Sequence, residues 1–426
     1  MGPRDMPDMG DGTEAPPAPN VSRDARLAYE SARGKLLQIR TLRRKTNTQS
    51  TVGSGFYVSS DGLIITNFHV ASALALEPTR HRGVAVSVEG KEIELVLLAF
   101  DIRNDLALLR PHKAVTGQTA LALRPQTKPV ERGERIYSLG NPLDIGFAVT
   151  EGNFNGLVQR SFYPRIFFGG ALNPGMSGGP SIDNAGRVIG VNVAKRNDAD
   201  LVSFLIPVQF VAQLIERGAK AKPIVESAED EVTRQLTAHQ NEVIKRFTST
   251  QFRFESYGGY KVPVPDETLA RCWGNGRDRN SKSQMDFERS DCSLDSGVFA
   301  GDFSTGSIQM RYEAYDGSRL QPLQFAYNYG QSFKNEYFPQ RGTRHKTAVE
   351  CTERYVQTKG MPLRAVMCMS AYRKLQGLYD MSLLVNTLNQ PQRGVQGRVD
   401  ATGLSFDNAM LLSQRYMDAL SWEPKP

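Results

Sequence analysis

The stretch GSGFYVSSDGLIITNFHV, Gly53 to Val70, reads as strand, turn, strand. Phe56 and Val58 alternate with small or polar residues, the period-two pattern of a half-buried strand. Ser59-Ser60-Asp61-Gly62 supplies turn chemistry. Leu63-Ile64-Ile65 resumes the strand, and His69 ends it, ahead of a small-residue turn at Ala71-Ser72-Ala73. A strand end can present a side chain rigidly at a cleft. A satisfied core histidine is the plainer reading of such a residue, so His69 needs partners before it carries chemistry.

The same pattern spreads outward. VAVSVEGKEIELVLL reads as a hairpin around Glu89-Gly90, and GERIYSLG, FAVTEGNFNGLVQR, RIFF, GRVIGVNVAK and LVSFLIPV follow as short apolar strands. From Lys35 to about Pro207 this is one all-β region, suited to barrels. VQFVAQLIERG closes it as a short amphipathic helix. Pro223 then breaks the chain, and Ile224 to Phe247 reads as a connecting helix with Ala228, Val232, Leu236, Val243 and Phe247 on one side. Beyond Gln251, FRFESY, GGYKVPV, SIQMRYEAY, LQFAYNY, RAVMCMS and YDMSLLVNT read as strands on their aromatic and β-branched content. Ser405 to Leu420 reads as a final helix with Phe406, Ala409, Met410, Met417 and Leu420 on one face. The expected division is a leader and short helix over 1–36, a β-barrel domain over 37–222, a helical connector over 223–248 and a β-rich α+β domain over 249–426.

Bulk properties narrow the class. At 40% hydrophobic and 23% charged residues, the chain can bury a real core. No apolar run reaches the roughly 18 residues that span a bilayer. The net charge of +7 comes from 52 basic and 45 acidic residues spread along the whole chain, which describes a mildly basic solvated surface. No nucleic-acid-binding module accompanies it. MGPRDMPDMGDGTEAPPAPN lacks the apolar core of a signal peptide and reads as a disordered leader.

All four cysteines, Cys272, Cys292, Cys351 and Cys368, lie in the C-terminal part, outside any metal-like spacing. Two disulfides in an oxidising compartment fit this count, with Cys272–Cys292 and Cys351–Cys368 the simplest of three connectivities. Four reduced, buried thiols are the alternative.

NPGMSGGP, Asn173 to Pro180, holds a lone serine in a turn-forming setting. A serine hydroxyl is a weak nucleophile and needs a neighbouring base, which in turn needs an acceptor to fix its tautomer. Of the five histidines, His81 lies among arginines in TRHRG, His112 follows Pro111, His239 falls on the connector helix and His345 lies in RGTRHK. These four read as surface residues, which leaves His69 as the base. In DIRNDLALLR, Asp105 stands immediately before a strand. The order His69, Asp105, Ser177, each at the edge of a β segment, is that of a chymotrypsin-like serine protease.

Residues of about 37–215 resemble the trypsin-like protease domain of the HtrA (Deg) family. The resemblance rests on GSGFYVSSDGLIITNFHV, DIRNDLALLR, SLGNPLDIGFAVTEGNFNGLV, ALNPGMSGGP, GRVIGVNV and FLIPV, in that order. It implies a mainly β fold, a double β-barrel with its active site between the barrels. By position it implies His69 as general base, Asp105 as its orienting acid, Ser177 as nucleophile, and the Gly175 and Ser177 backbone N–H groups as the oxyanion hole. It places Ala171 and Leu172 at the primary specificity pocket and Val193 and Ala194 on the strand that pairs with substrate backbone. No aspartate stands at that pocket, so small or medium aliphatic residues are the expected preference. Met176 takes the place of an asparagine common beside the nucleophile, an early inserted loop of the family is missing, and nothing after Pro223 resembles a PDZ domain.

The expected function is therefore serine endopeptidase, acting on protein or peptide substrates in quality control or processing, without cofactor or metal. A homo-oligomer is compatible with it, and the compartment is periplasmic or secreted, with cytoplasmic as the alternative. The competing reading is a catalytically quiet protease-fold scaffold whose C-terminal domain binds an envelope or protein partner.

Overall fold

A computed structural model describes residues 22–159, 161–193, 203–276, 285–294, 296–301, 303–334, 342–359 and 361–423. The expected leader over 1–20 lies outside the described residues. The first helix, α1 (Arg23–Ala32), is capped by the Ser22 hydroxyl, which accepts the Ala25 N–H, and buries Ala25, Ala28 and Ala32.

Six antiparallel strands then close a barrel in the order β1-β2-β3-β6-β5-β4. They are β1 (Leu36–Arg43), β2 (Gln49–Tyr57), β3 (Ile64–Thr66), β4 (His81–Ser87), β5 (Glu92–Asp101) and β6 (Leu106–Pro111). A second barrel follows, closed in the order β10-β11-β12-β9-β8-β7. Its strands are β7 (Arg135–Gly140), β8 (Ala148–Leu157), β9 (Ile166–Phe168), β10 (Pro180–Ile182), β11 (Val188–Val193) and β12 (Ser203–Pro207). Closure leaves neither sheet with an open edge. The double barrel expected from the resemblance is present.

Within the first barrel the sequence departs from expectation at one point. Thr66 ends the strand, Asn67 precedes the helix Phe68–Leu76, α2, and His69 and the expected turn Ala71-Ser72-Ala73 are therefore helical. Leucine and alanine are strong helix formers, and Phe68, Val70, Ala71, Leu74 and Ala75 are all buried against the barrel.

The helix after the barrels, α3 (Val208–Gly218), lies where the amphipathic pattern put it and buries Val211 and Leu214. Helix α4 starts later than expected, at Glu229, and runs to Ser249. It joins two cores rather than merely connecting them. Val232 and Leu236 pack with first-barrel residues such as Phe68 and Leu74. Val243, Ile244 and Phe247 pack into the C-terminal core.

That core lies on a seven-stranded antiparallel sheet, ordered Ala270–Gly276, Asp286–Leu294, Ile308–Asp316, Arg393–Leu404, Tyr379–Thr387, Met361–Ala371 and Glu350–Thr358. LQFAYNY, expected as a strand, is instead part of helix α5 (Pro322–Ser332). Pro322 in the first turn and reciprocal hydrogen bonds between Gln321 and Gln324 start the helix, and Phe325 and Tyr329, four apart, bury one face. The last helix, α6 (Phe406–Ala419), is capped by Ser405 and turns Ala409, Leu412 and Tyr416 into the core, while Phe406 stays exposed. Disulfides join Cys272 to Cys292 and Cys351 to Cys368, each pair directly opposite across neighbouring strands.

Candidate active site

The first barrel contributes two ionisable groups. Asp105 ends the β5–β6 turn in a left-handed conformation, φ 52°, and is almost fully buried. It receives the start of α2: its carbonyl accepts the Phe68 N–H at 3.1 Å and the Asn67 side-chain amide at 2.8 Å. Its carboxylate accepts the His69 backbone N–H at 2.9 Å through Oδ1, while Oδ2 lies 2.7 Å from His69 Nδ1. A carboxylate at a helix N-terminus is favourably placed for the free N–H groups there. The contact therefore fixes the helix and the imidazole together.

Burial pushes the His69 pKa down, but the Asp105 charge and hydrogen bond outweigh it, and the imidazole titrates above the ordinary histidine value. With Asp105 holding Nδ1–H, Nε2 is left as the basic nitrogen.

The Asp105 turn is braced from outside. Asp101 accepts from both the backbone N–H and the side chain of Asn104, each at 3.1 Å. From α4, Gln235 accepts the Ile102 N–H at 2.9 Å and donates to the Phe100 carbonyl at 3.1 Å. His239 of α4 lies 2.5 Å from the Tyr163 hydroxyl, which accepts from Arg103 Nε at 3.2 Å. His239 is thus buried, not the surface residue expected, and its desolvation lowers its pKa to about 4. His81 is likewise buried, at the start of β4 and beside Glu77, whereas its arginine-rich setting suggested an exposed loop. His112 is exposed, and His345 packs on Phe303.

Ser177 comes from the second barrel, on the loop between β9 and β10, and is 6% exposed. Ser54 of β2 ties that loop to the first barrel. Its N–H donates to the Ser177 carbonyl at 2.8 Å, its hydroxyl donates to the Gly175 carbonyl at 2.7 Å, and the same hydroxyl accepts the Asn141 N–H at 2.9 Å. Glycine is required where the two meet: a Cβ on Gly178, at φ 87°, would collide with the Ser54 carbonyl oxygen and the Thr66 hydroxyl. The Met176 N–H donates to the Asn173 carbonyl at 3.0 Å, and Gly175 has φ 94°, a turn of type II form with Pro174 and Gly175 at its corners. Among the described residues, the Gly175 and Ser177 N–H groups, the Ser177 hydroxyl and His69 Nε2 take part in no hydrogen bond.

Met176 is 1% exposed and packs in the second-barrel core with Leu172, Ile136, Phe168 and Ile189. Its side chain anchors the loop, which accounts for an apolar residue beside the serine. Leu172 is a core side chain too. Ala171 and Val193 are half-buried, and Ala194 lies outside the described residues. Ser54, Gln235 and the Tyr163–His239 pair were not singled out from sequence; each is recognisable only through partners far along the chain. No group of side chains suited to a metal ion occurs among the described residues.

The chain is similar to known proteins over the two barrels. The family model of the trypsin-like peptidase domain matches residues 53–191. The chain is 33% identical over 172 residues to a putative serine protease HhoB of Synechocystis, covering 38% of this chain and 39% of that protein. It is 31% identical over 200 residues to a probable periplasmic serine endoprotease, DegP-like, of Brucella suis, covering 44% and 37%. Among solved structures, a serine endoprotease from Yersinia pestis is similar with a TM-score of 0.40 and 22% identity, over 46% of this chain and 67% of that one. The chain thus spans well under half the length of these curated relatives. Residues 53–191 of this chain match the trypsin-like peptidase domain, in a stretch similar to serine proteases of the DegP-like kind.

Proposed function

We propose that the protein is a serine endopeptidase that cleaves protein substrates through an acyl-enzyme. The observation that carries this reading is the carboxylate–imidazole pair, 2.7 Å between Asp105 Oδ2 and His69 Nδ1, on the same barrel to which Ser54 ties the glycine-flanked turn of the buried Ser177. In this reading Ser177 attacks the peptide carbonyl while His69 Nε2 takes its proton. The oxyanion that forms is held by the Gly175 and Ser177 N–H groups, each such donor contributing roughly 3–4 kcal/mol in the transition state. His69 then returns the proton to the leaving amine, and water repeats the sequence to release the acyl group. Asp105 stabilises the imidazolium throughout.

With Leu172 turned into the second-barrel core, the expected pocket reduces to Ala171, Val193 and Ala194, with no aspartate, and favours small or aliphatic residues at the cleaved position. The working division is a peptidase domain followed, after α4, by a β-rich region that has a core of its own and shares a second cluster with the first barrel through Val298, Ala300 and Tyr372. The periplasmic assignment in a relative's name and the two disulfides support an oxidising compartment outside the cytoplasm.

Digestion of an unfolded protein such as reduced casein tests the proposal. Wild type is expected to generate discrete fragments, and Ser177→Ala none. Equal fragmentation by both proteins, or by neither, would overturn it.

A further inference from the structure

The His69 imidazole has a neighbour from outside the two barrels. The ring of Phe299 lies with its centroid 4.9 Å from that of His69, the planes inclined by 43°. Phe299 belongs to a hairpin in the C-terminal region, Val298–Phe299 paired with Ser304–Thr305. Successive strand residues face opposite ways. Val298 and Ala300 are both buried, in the cluster that holds Phe68, Leu74, Val232 and Leu236. Phe299, between them, turns to the imidazole and keeps part of its surface exposed.

The hairpin is held firmly in this position. The Ala300 N–H donates to the Phe303 carbonyl at 3.0 Å, which closes the tip. At the base, the Ser296 hydroxyl donates to the Gly306 carbonyl at 2.7 Å. The Thr305 hydroxyl bonds the Tyr372 hydroxyl at 2.7 Å, and Tyr372 donates to buried Asp380 at 2.7 Å, which also pairs with Lys346. A ring carried on such a support is pre-positioned, which limits the ordering cost when a ligand packs on it.

We propose that Phe299 is a wall of the substrate subsite beside the catalytic imidazole, and that it selects a bulky apolar side chain flanking the cleaved bond. This rests on the serine-endopeptidase reading. A phenyl ring has no hydrogen-bonding group with which to engage the Ser177 hydroxyl or His69 Nε2, so it leaves both to the substrate. The His69 side chain keeps 21% of its surface exposed with Phe299 against it, so the ring borders the imidazole without sealing it. The partly exposed aromatic face beside the imidazole offers an apolar surface, which leucine, methionine or an aromatic residue would match. The C-terminal region thereby takes part in substrate choice.

The test is steady-state cleavage of a peptide library varied at the positions flanking the scissile bond, using wild type, Phe299→Ala and Phe299→Leu. Fluorophosphonate labelling of Ser177 is measured in parallel. Phe299→Ala is expected to lose about tenfold in kcat/KM for peptides with a bulky apolar flanking residue, mainly through KM, as removal of a hydrophobic pocket wall does. Peptides with serine there should lose least. Phe299→Leu should recover most of the preference, and all three proteins should still be labelled at Ser177. An unchanged library profile with labelling intact would overturn the proposal. So would faster labelling and faster cleavage of every peptide in Phe299→Ala, which would make the ring a plug. Absence of labelling in folded wild type would instead bring down the endopeptidase reading, and the subsite with it.

Discussion

Asp105 meets His69 twice, once at the backbone and once at the ring: Oδ1 accepts the His69 N–H at 2.9 Å and Oδ2 lies 2.7 Å from Nδ1. The two contacts have different chemistry, and substitution separates them. In Asp105→Asn the amide oxygen can still accept the backbone N–H, which leaves the NH₂ group facing Nδ1. That forces the proton onto Nε2 and removes the base. The expected result is a protein that melts near the wild-type temperature but is acylated about 10⁴-fold more slowly. Stopped-flow acylation and a thermal melt on the same sample check it.

The pH dependence follows from the same pair. In the proposed reaction His69 serves as a base only when neutral, and Asp105, against the opposing effect of burial, holds its pKa above the ordinary histidine value of 6.5. The acid limb of kcat/KM should therefore have its midpoint above 6.5, with activity rising as pH increases through it. In Asp105→Asn only the burial effect remains, so the residual activity should have its midpoint below 6.5. The sign for stability is opposite to that for activity. A raised histidine pKa adds stability that is complete below the unfolded value and is lost as pH rises through the folded one.

His239 behaves in the reverse way. Its burial lowers the pKa from 6.5 to about 4. At about 1.36 kcal/mol per pKa unit, that is about 3 kcal/mol of stability. It is present above pH 6.5 and is lost as pH falls from there toward 4. Urea unfolding at pH 7.5 and pH 5 should show the loss, and His239→Gln should flatten that part of the profile. Because His239 supports the Tyr163–Arg103 contact two residues from Asp105, low pH should also loosen the catalytic turn.

The disulfides guard the ends of the C-terminal sheet. Ala270–Gly276 and Glu350–Thr358 are its two outermost strands, and each is bonded to its inner neighbour by one disulfide. The bonds close chain separations of 20 and 17 residues. Reduction should cost roughly 3 kcal/mol for each. Calorimetry with and without reductant should show a lower melting transition for the reduced protein, and an unchanged melt would contradict the expectation.

The barrels were legible because their signals are local. Alternation around Phe56, the Ser59–Gly62 turn and the NPGMSGGP loop each state their conformation within a few residues. The same locality misled at LQFAYNY, where aromatic content suggested a strand. Pro322, the Gln321–Gln324 cap and the Phe325–Tyr329 spacing carried the helix signal there. The pairing of His69 with Asp105 and the exposure of His112 were legible, but the burial of His81 and His239 was not. His239 is buried by Tyr163, 76 positions away, and no spacing rule anticipates that. The Phe299–His69 contact is of the same kind, since it depends on how α4 and the C-terminal sheet dock against the first barrel.

The most direct test of the central claim is intact-mass analysis after exposure to a fluorophosphonate, followed by peptide mapping. A nucleophilic Ser177 activated by His69 predicts one adduct per chain on the peptide containing Ser177. It also predicts none in Ser177→Ala and sharply slowed labelling in Asp105→Asn. Folded wild-type protein that takes up no label, or that is labelled equally well without Ser177, would contradict it.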